Sequence, residues 1–162
     1  MIPSIQSPAS VRQRIMDQLK DALSELTEFE TVSNERELRV IKLPMAWVWD
    51  VSESDDQSAM NYTFKALTVQ VGAIYEFLPP PDLRNRDRLG RGYLALIEQK
   101  LLEDVRRNEL AWDTQAVSGT DMIQDFADQQ GGEGLAIAIR QFEVHYLQLF
   151  GEPFRSLTEV PQ

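Results

Sequence analysis

YTFKALTVQVGAIYEF, residues 62–77, keeps a single period longer than any other part of this 162-residue chain. Thr63, Lys65, Leu67, Val69, Val71, Ala73, Tyr75 and Phe77 fall on one side of an extended backbone, and only the first two are polar. The other side, from Phe64 through Thr68, Gln70 and Ile74 to Glu76, is mixed. Alternation rich in β-branched and aromatic residues predicts a strand with one buried face. A strand usually runs about 5 or 6 residues. This one is therefore expected either to act as a spine for shorter strands or to outreach its own sheet and offer its ends to another subunit.

Upstream, Ser7-Pro8 followed by ASVRQRIMDQLKDALSEL predicts a helix that starts on a capping hydroxyl and a first-turn proline. Val11, Ile15, Leu19, Ala22, Leu23 and Leu26 form its apolar stripe. Residues 29–32 suit a short strand, and 38–43 alternate until Pro44, which marks an edge or a break. Met45, Trp47, Trp49 and Val51 resume the alternation on one face, and the two tryptophans are expected in the core. SESDDQS then reads as an acidic loop that closes a hairpin into the long strand.

Downstream, three prolines end the strand, and Arg84, Arg86, Arg88 and Arg91 crowd a loop opposed only by Asp87. A second helix is expected over 93–110, with Leu94, Ile97, Leu101 and Val105 as its stripe and Leu-Gly-Arg-Gly-Tyr as a flexible lead-in. A short strand around Met122, Ile123 and Phe126 and a glycine-rich turn lead to a last strand, LAIAIRQFEVHYLQLF. Its apolar set changes phase between Ile139 and Phe142, which predicts a β-bulge near Arg140-Gln141 or a change in the surface it packs against. The expected architecture is α+β, an antiparallel-dominated β-sheet with two α-helices packed on one face. One domain over residues 1–150 and a C-terminal tail over 151–162 account for the length.

Composition narrows the function classes. The net charge of -10 argues against a chain whose main task is gripping a phosphate backbone. No cysteine is present, so thiolate catalysis, disulfides and Cys-containing metal sites are excluded. His145 is the single histidine, which rules out a multi-histidine centre and leaves only one residue for a Ser-His-Asp triad. No GxSxG, P-loop or GxGxxG motif occurs. The acids at 50–56 lack the glycine and the distal glutamate of a calcium loop. No stretch approaches the roughly 18 apolar residues of a membrane span, and the first ten residues lack the features of a secretory leader, so a soluble, cytoplasmically made protein is expected. The arginine cluster is the one local inversion of charge; it is expected to contact an acidic partner surface or a nearby phosphate backbone. Trp47 and Trp49 join it as interface candidates if they are exposed.

The amphipathic first helix, the proline-led aromatic strand LPMAWVWDV, the long strand ALTVQVGAIYE, the segment GRGYLALIEQKLLEDV and the closing strand GLAIAIRQFEVHY together resemble the tail terminator, or tail completion, proteins of long-tailed bacteriophages, most closely those of Mu-like phages. The resemblance covers most of residues 11–146 and rests on the order and texture of the elements. It implies a structural virion protein without catalysis or cofactor. Such a protein is assembled in the host cytoplasm and sits at the head-proximal end of the tail. It forms a homohexameric ring on the last tail tube protein ring, ends tube polymerisation and presents a surface to the neck or head-completion proteins. Genome DNA passes through the ring without specific binding. The competing readings are another neck component, such as a head-closure or adaptor protein, and a small metal-dependent hydrolase or nuclease using Asp50, Asp55 and Asp56.

Overall fold

A computed structural model describes residues 9–35, 39, 42–58, 62–77, 83–125 and 134–149, those at 56–58 and 83 by their backbone alone. The elements run α1 (Val11–Ser24), β1 (Thr31–Ser33), β2 (Met45–Ser58), β3 (Tyr62–Glu76), α2 (Leu83–Leu102), β4 (Asp113–Ala116), β5 (Met122–Asp125) and β6 (Leu135–Leu149). All six strands join one sheet in the order β1-β2-β3-β6-β4, with β5 also paired to β6. Only β1 and β2 run parallel. Both helices pack on one face, so the α+β architecture is the expected one.

β3 is the spine. Its Leu67, Val69, Val71, Ala73 and Tyr75 point into the main core, together with Ala46 and Val48 of β2 and Ala136, Ala138, Phe142, Val144 and Tyr146 of β6. α1 contributes Val11, Ile15, Leu19 and Leu23, and α2 contributes Leu94, Ile97 and Leu101. These are the residues that helical spacing places on one stripe. The expectation that β3 offers its ends to another subunit is overturned. β6 pairs with it from Tyr62 to Glu76 and β2 from Thr63 to Ile74, so the extra length of β3 is matched by two equally long neighbours in its own chain.

β2 reaches that length by absorbing the acidic segment. Residues 52–58 are strand rather than a loop, because their backbone groups pair along β3 despite a composition poor in strand formers. Two register shifts, between Asp50 and Ser52 and between Asp55 and Gln57, leave Val51 and Asp56 as extra residues. β6 has no shift against β3, so the bulge expected near Arg140-Gln141 does not exist. Its even-numbered residues face the main core throughout. Ile137 and Ile139 instead join Met45, Ile74 and Leu43 in a small cluster on the opposite face. What changes near Arg140 is the outer neighbour of the strand: β5 pairs with 136–139 and β4, which the sequence does not announce, with 142–145.

The helices also begin and end elsewhere. α1 is capped by Ser10, whose hydroxyl accepts a hydrogen bond from the Gln13 amide at 3.2 Å. α2 starts at Leu83, so the arginines sit on a helix rather than in a loop and Leu-Gly-Arg-Gly-Tyr lies inside it. It stops at Leu102 instead of 110. Arg107, Asn108 and Glu109 take left-handed backbone angles, with φ of 49°, 55° and 67°, which no α-helix continues through. Arg107, fully buried, folds back to donate to the carbonyls of Leu101 and Asp104 and, at 3.1 Å, to Gln18 of α1. Burial lowers its pKa from the ordinary guanidinium value.

Residues 42–44 form a bend, not strand. The expected helix start at Ser7-Pro8, most of the 38–43 pattern, the prolines at 79–81, Phe126 and most of the glycine-rich turn, and the 151–162 tail lie outside the described residues.

Candidate functional site

A helix advances 100° per residue, so the arginines divide into two groups. Arg84, Arg88 and Arg91, at i, i+4 and i+7, share the exposed stripe of α2 with Ala95, Gln99 and Leu102. Arg86 turns inward. Its Nη1 donates to Asp125 Oδ1 of β5 at 2.8 Å and its Nε to Asp87 Oδ1 at 3.1 Å, while its backbone carbonyl accepts from the Tyr75 hydroxyl at 2.7 Å. The hydrogen bond to Asp125, then that to Asp87, raises the pKa of Arg86. Burial pushes the Tyr75 phenol up to about 12, against the lowering influence of Arg86. Arg86 is therefore a strut between helix and sheet. Of the exposed three only Arg84 lies in the first turn, near the positive end of the helix dipole, where a cation costs roughly 0.3–1 kcal/mol; Arg88 and Arg91 lie beyond it.

The tryptophans lie on the other side of the molecule. Ala46 and Val48 face the helices, so Trp47 and Trp49 project from the opposite face of the sheet and not into the main core. Their rings stack with centroids 5.3 Å apart and planes at 28°. Trp47 is buried, with its Nε1 donating to the Glu35 carbonyl at 3.0 Å; Trp49 is half-buried. Arginines and tryptophans thus make two surfaces rather than one patch.

The acids of β2 form a third feature. Asp50 pairs with Val69, Glu53 with Leu67 and Asp55 with Lys65 in the ladder, so all three point to the helix side. The extra residue Val51 makes this possible: without it Asp50 and Glu53 would face opposite ways. Asp50 meets Arg12 of α1 at 2.7 Å, Asp55 meets Lys65 at 2.5 Å, and Glu53 accepts a 2.5 Å hydrogen bond from the Tyr146 hydroxyl. Burial, followed by that bond, raises the Tyr146 pKa. Two of the acids offered for metal-dependent hydrolysis are thus engaged by cations of the fold. Among the described residues, no group of three or more histidine, aspartate and glutamate side chains is placed to hold a metal ion.

Beyond Trp47, the edge of β2 over residues 48–58 carries no neighbouring strand among the described residues, since β1 pairs only with Met45, Ala46 and Trp47. His145, on the face away from the helices, lies 3.3 Å from Glu143 and 5.7 Å between ring centroids from the exposed Trp112. No described helix is long and apolar enough to cross a membrane.

Sequence reasoning missed one further cluster. Arg140 projects from the core-facing side of β6 and is gripped by both oxygens of Asp121, at 2.6 and 2.7 Å, and by Glu98 of α2. The bidentate bond raises the Arg140 pKa and holds the Asp121 carboxyl below its ordinary value. The cluster lines an open groove of about 350 Å³ together with residues 116–119. A lone cation among alternating apolar residues was its visible signal. No protein-family model matches the chain, and no curated protein matches it either.

Proposed function

We propose that this chain is a structural virion subunit that assembles into a hexameric ring at the end of a phage tail tube, stops its growth and joins the tail to the neck or head. The ring lets the genome pass without binding it specifically, and works without catalysis. The observation that supports the reading is the open edge of β2. A sheet whose central strand is saturated on both sides still carries, over residues 48–58, a row of backbone groups with no strand beside it among the described residues. Such an edge is a template for pairing with another chain. The resemblance in element order supplies the identity of the assembly, and the net charge of -10 suits a wall along which DNA slides.

Native mass spectrometry of the purified chain, alone and with tail tube protein, tests the ring. A closed oligomer is expected, and a strict monomer that never joins a tube overturns the proposal. Labelling along purified particles then separates a terminator from an adaptor, because the terminator sits at the tube end and the adaptor at the portal.

A further inference from the structure

We infer that the two edges of the sheet pair with each other between neighbouring copies of this chain: β1 and the open stretch of β2 in one copy add to β5 and β4 of the next. Strand direction permits it. β2 and β6 both run antiparallel to β3, β1 runs with β2, and β4 and β5 run against β6. The two edges therefore point in opposite directions, and a second copy set alongside in the same orientation continues the sheet by antiparallel pairing.

The edges also match in outline. On one side β1 covers Met45, Ala46 and Trp47, and β2 has no neighbouring strand from residue 48 onward among the described residues. On the other side β5 covers residues 136–139 of β6 and β4 covers 142–145. Followed across the ladder, Val32 stands level with Ile123 and Ser52 with Gln115, so both edges change strand at the level of Arg140. The side chains brought together are compatible. Val32 and Ile123, each half-buried at its own edge, cover one another. Asp50 meets Ala116, Glu53 meets Thr114 and Asp113 meets Ser54, so none of these rows opposes like charges.

Short, charged or bulged edge strands can serve only to discourage pairing. Here the charges are a poor guard, because Asp50 and Asp55 are held by Arg12 and Lys65 on the helix side of the sheet. Nor does a guard give two edges, far apart in the chain, a reason to break at one level. The bulges in β2 bend the strand, which a sheet continued around a ring requires. Each copy contributes one edge and receives the other, and head-to-tail contacts of this kind close into rings. The inference deepens the ring reading and rests on it in requiring that copies associate.

The test uses the full chain, which has no cysteine of its own. Ser52→Cys and Gln115→Cys replace exposed side chains on the two edges, and Thr31→Cys with Gln124→Cys form a second pair on β1 and β5. Within one chain Ser52 and Gln115 lie three strand spacings apart, about 14 Å, too far for a disulfide. Mild oxidation of a mixture of Ser52→Cys and Gln115→Cys chains should give a linked dimer, and neither variant alone should give one. A chain carrying both should give a ladder of linked species ending at the closed ring, and a short bis-maleimide repeats the experiment with tolerance for a small shift in register. Circular dichroism checks that the variants fold as the wild type does. Closed oligomers that link through neither pair overturn the inference and leave the ring standing. Linked dimers of Ser52→Cys alone also overturn it, since two β2 edges then meet about a two-fold axis. A wild type that stays monomeric even with tail tube protein removes the ring reading and this contact together.

Discussion

Gly90 of α2 packs directly on Tyr75 of β3: a Cβ placed at position 90 would stand 2.5 Å from the Tyr75 hydroxyl oxygen and 2.9 Å from the Ile123 Cδ1 of β5. The same hydroxyl donates to the carbonyl of Arg86, one helical turn before Gly90, and Arg86 reaches on to Asp125 of β5. Helix, central strand and edge strand are therefore fastened at one crossing, where only a residue without a side chain fits.

Gly90→Ala and Gly92→Ala should consequently move stability in opposite directions. Helix propensity alone favours alanine by roughly 0.5–1 kcal/mol at either position. Gly92 has nothing within 4 Å of the added carbon, so its variant should gain about that amount. At Gly90 the overpacking cost of about 1–3 kcal/mol outweighs the gain and displaces the Tyr75 hydroxyl. Thermal unfolding reads both, at about 2–4 °C per kcal/mol for a chain of this size. A stabilised Gly90→Ala would show that the crossing is looser than the contacts indicate.

The Arg140 clamp should give stability an acid limb. Asp121 is held below its ordinary value of 3.8, chiefly by its hydrogen bond with Arg140. A depressed folded pKa means that the contribution is fully present above about pH 4 and is lost as pH falls through the folded value. Asp121 is 44% exposed, which limits the worth of the pair to about 1 kcal/mol. Urea unfolding of wild type and Arg140→Met should differ by a constant amount from pH 5 to 7 and converge as pH falls from about 4 through the folded value of Asp121. A gap that does not narrow at all below pH 4 would place the effect in packing rather than in the pair.

Tyr146→Phe should cost about 1.5–3 kcal/mol, because it removes the phenol that donates to the mostly buried Glu53 carboxylate. Lys65, 3.8 Å from the other oxygen, offsets part of the loss, so Tyr146→Phe and Lys65→Met should be non-additive. A double-mutant cycle by chemical denaturation checks this, and strict additivity would mean that the three groups do not form one network.

Trp47 and Trp112 should separate by solvent access. Trp47 is 7% exposed and Trp112 47% exposed. Acrylamide should quench a large part of the wild-type fluorescence, and Trp112→Phe should remove most of the accessible part. Trp47→Ala should cost about 3–5 kcal/mol, as expected for truncating a buried aromatic residue. Quenching unchanged in the Trp112 variant would mean that Trp49 is the accessible ring.

Much of this molecule was legible from local pattern. The stripe Val11, Ile15, Leu19, Leu23 and the odd-numbered face of β3 from Leu67 to Tyr75 are buried as their periods predict, because periodicity records which side of an element meets the core. The sign inversion at the arginines is likewise visible without a structure. The misread segments are those where composition and neighbours disagree. Residues 52–58 look like a loop, yet a long antiparallel partner pairs with them along one side. The glycines at 90 and 92 look like a break, yet Gly90 is there for the Tyr75 crossing and α2 runs through both.

What the chain by itself determined is the class of each face: which residues are apolar, which are charged, and that the length and composition suit one α+β unit. The tertiary structure alone decided which strand edge has no neighbour among the described residues. β3 has the pattern of a strand that outreaches its sheet, but β2 and β6 cover both its sides, and among the described residues the unpaired edge falls instead on β2 over residues 48–58. Strand pairing joins residues far apart in sequence, and no local period encodes which edge is left over.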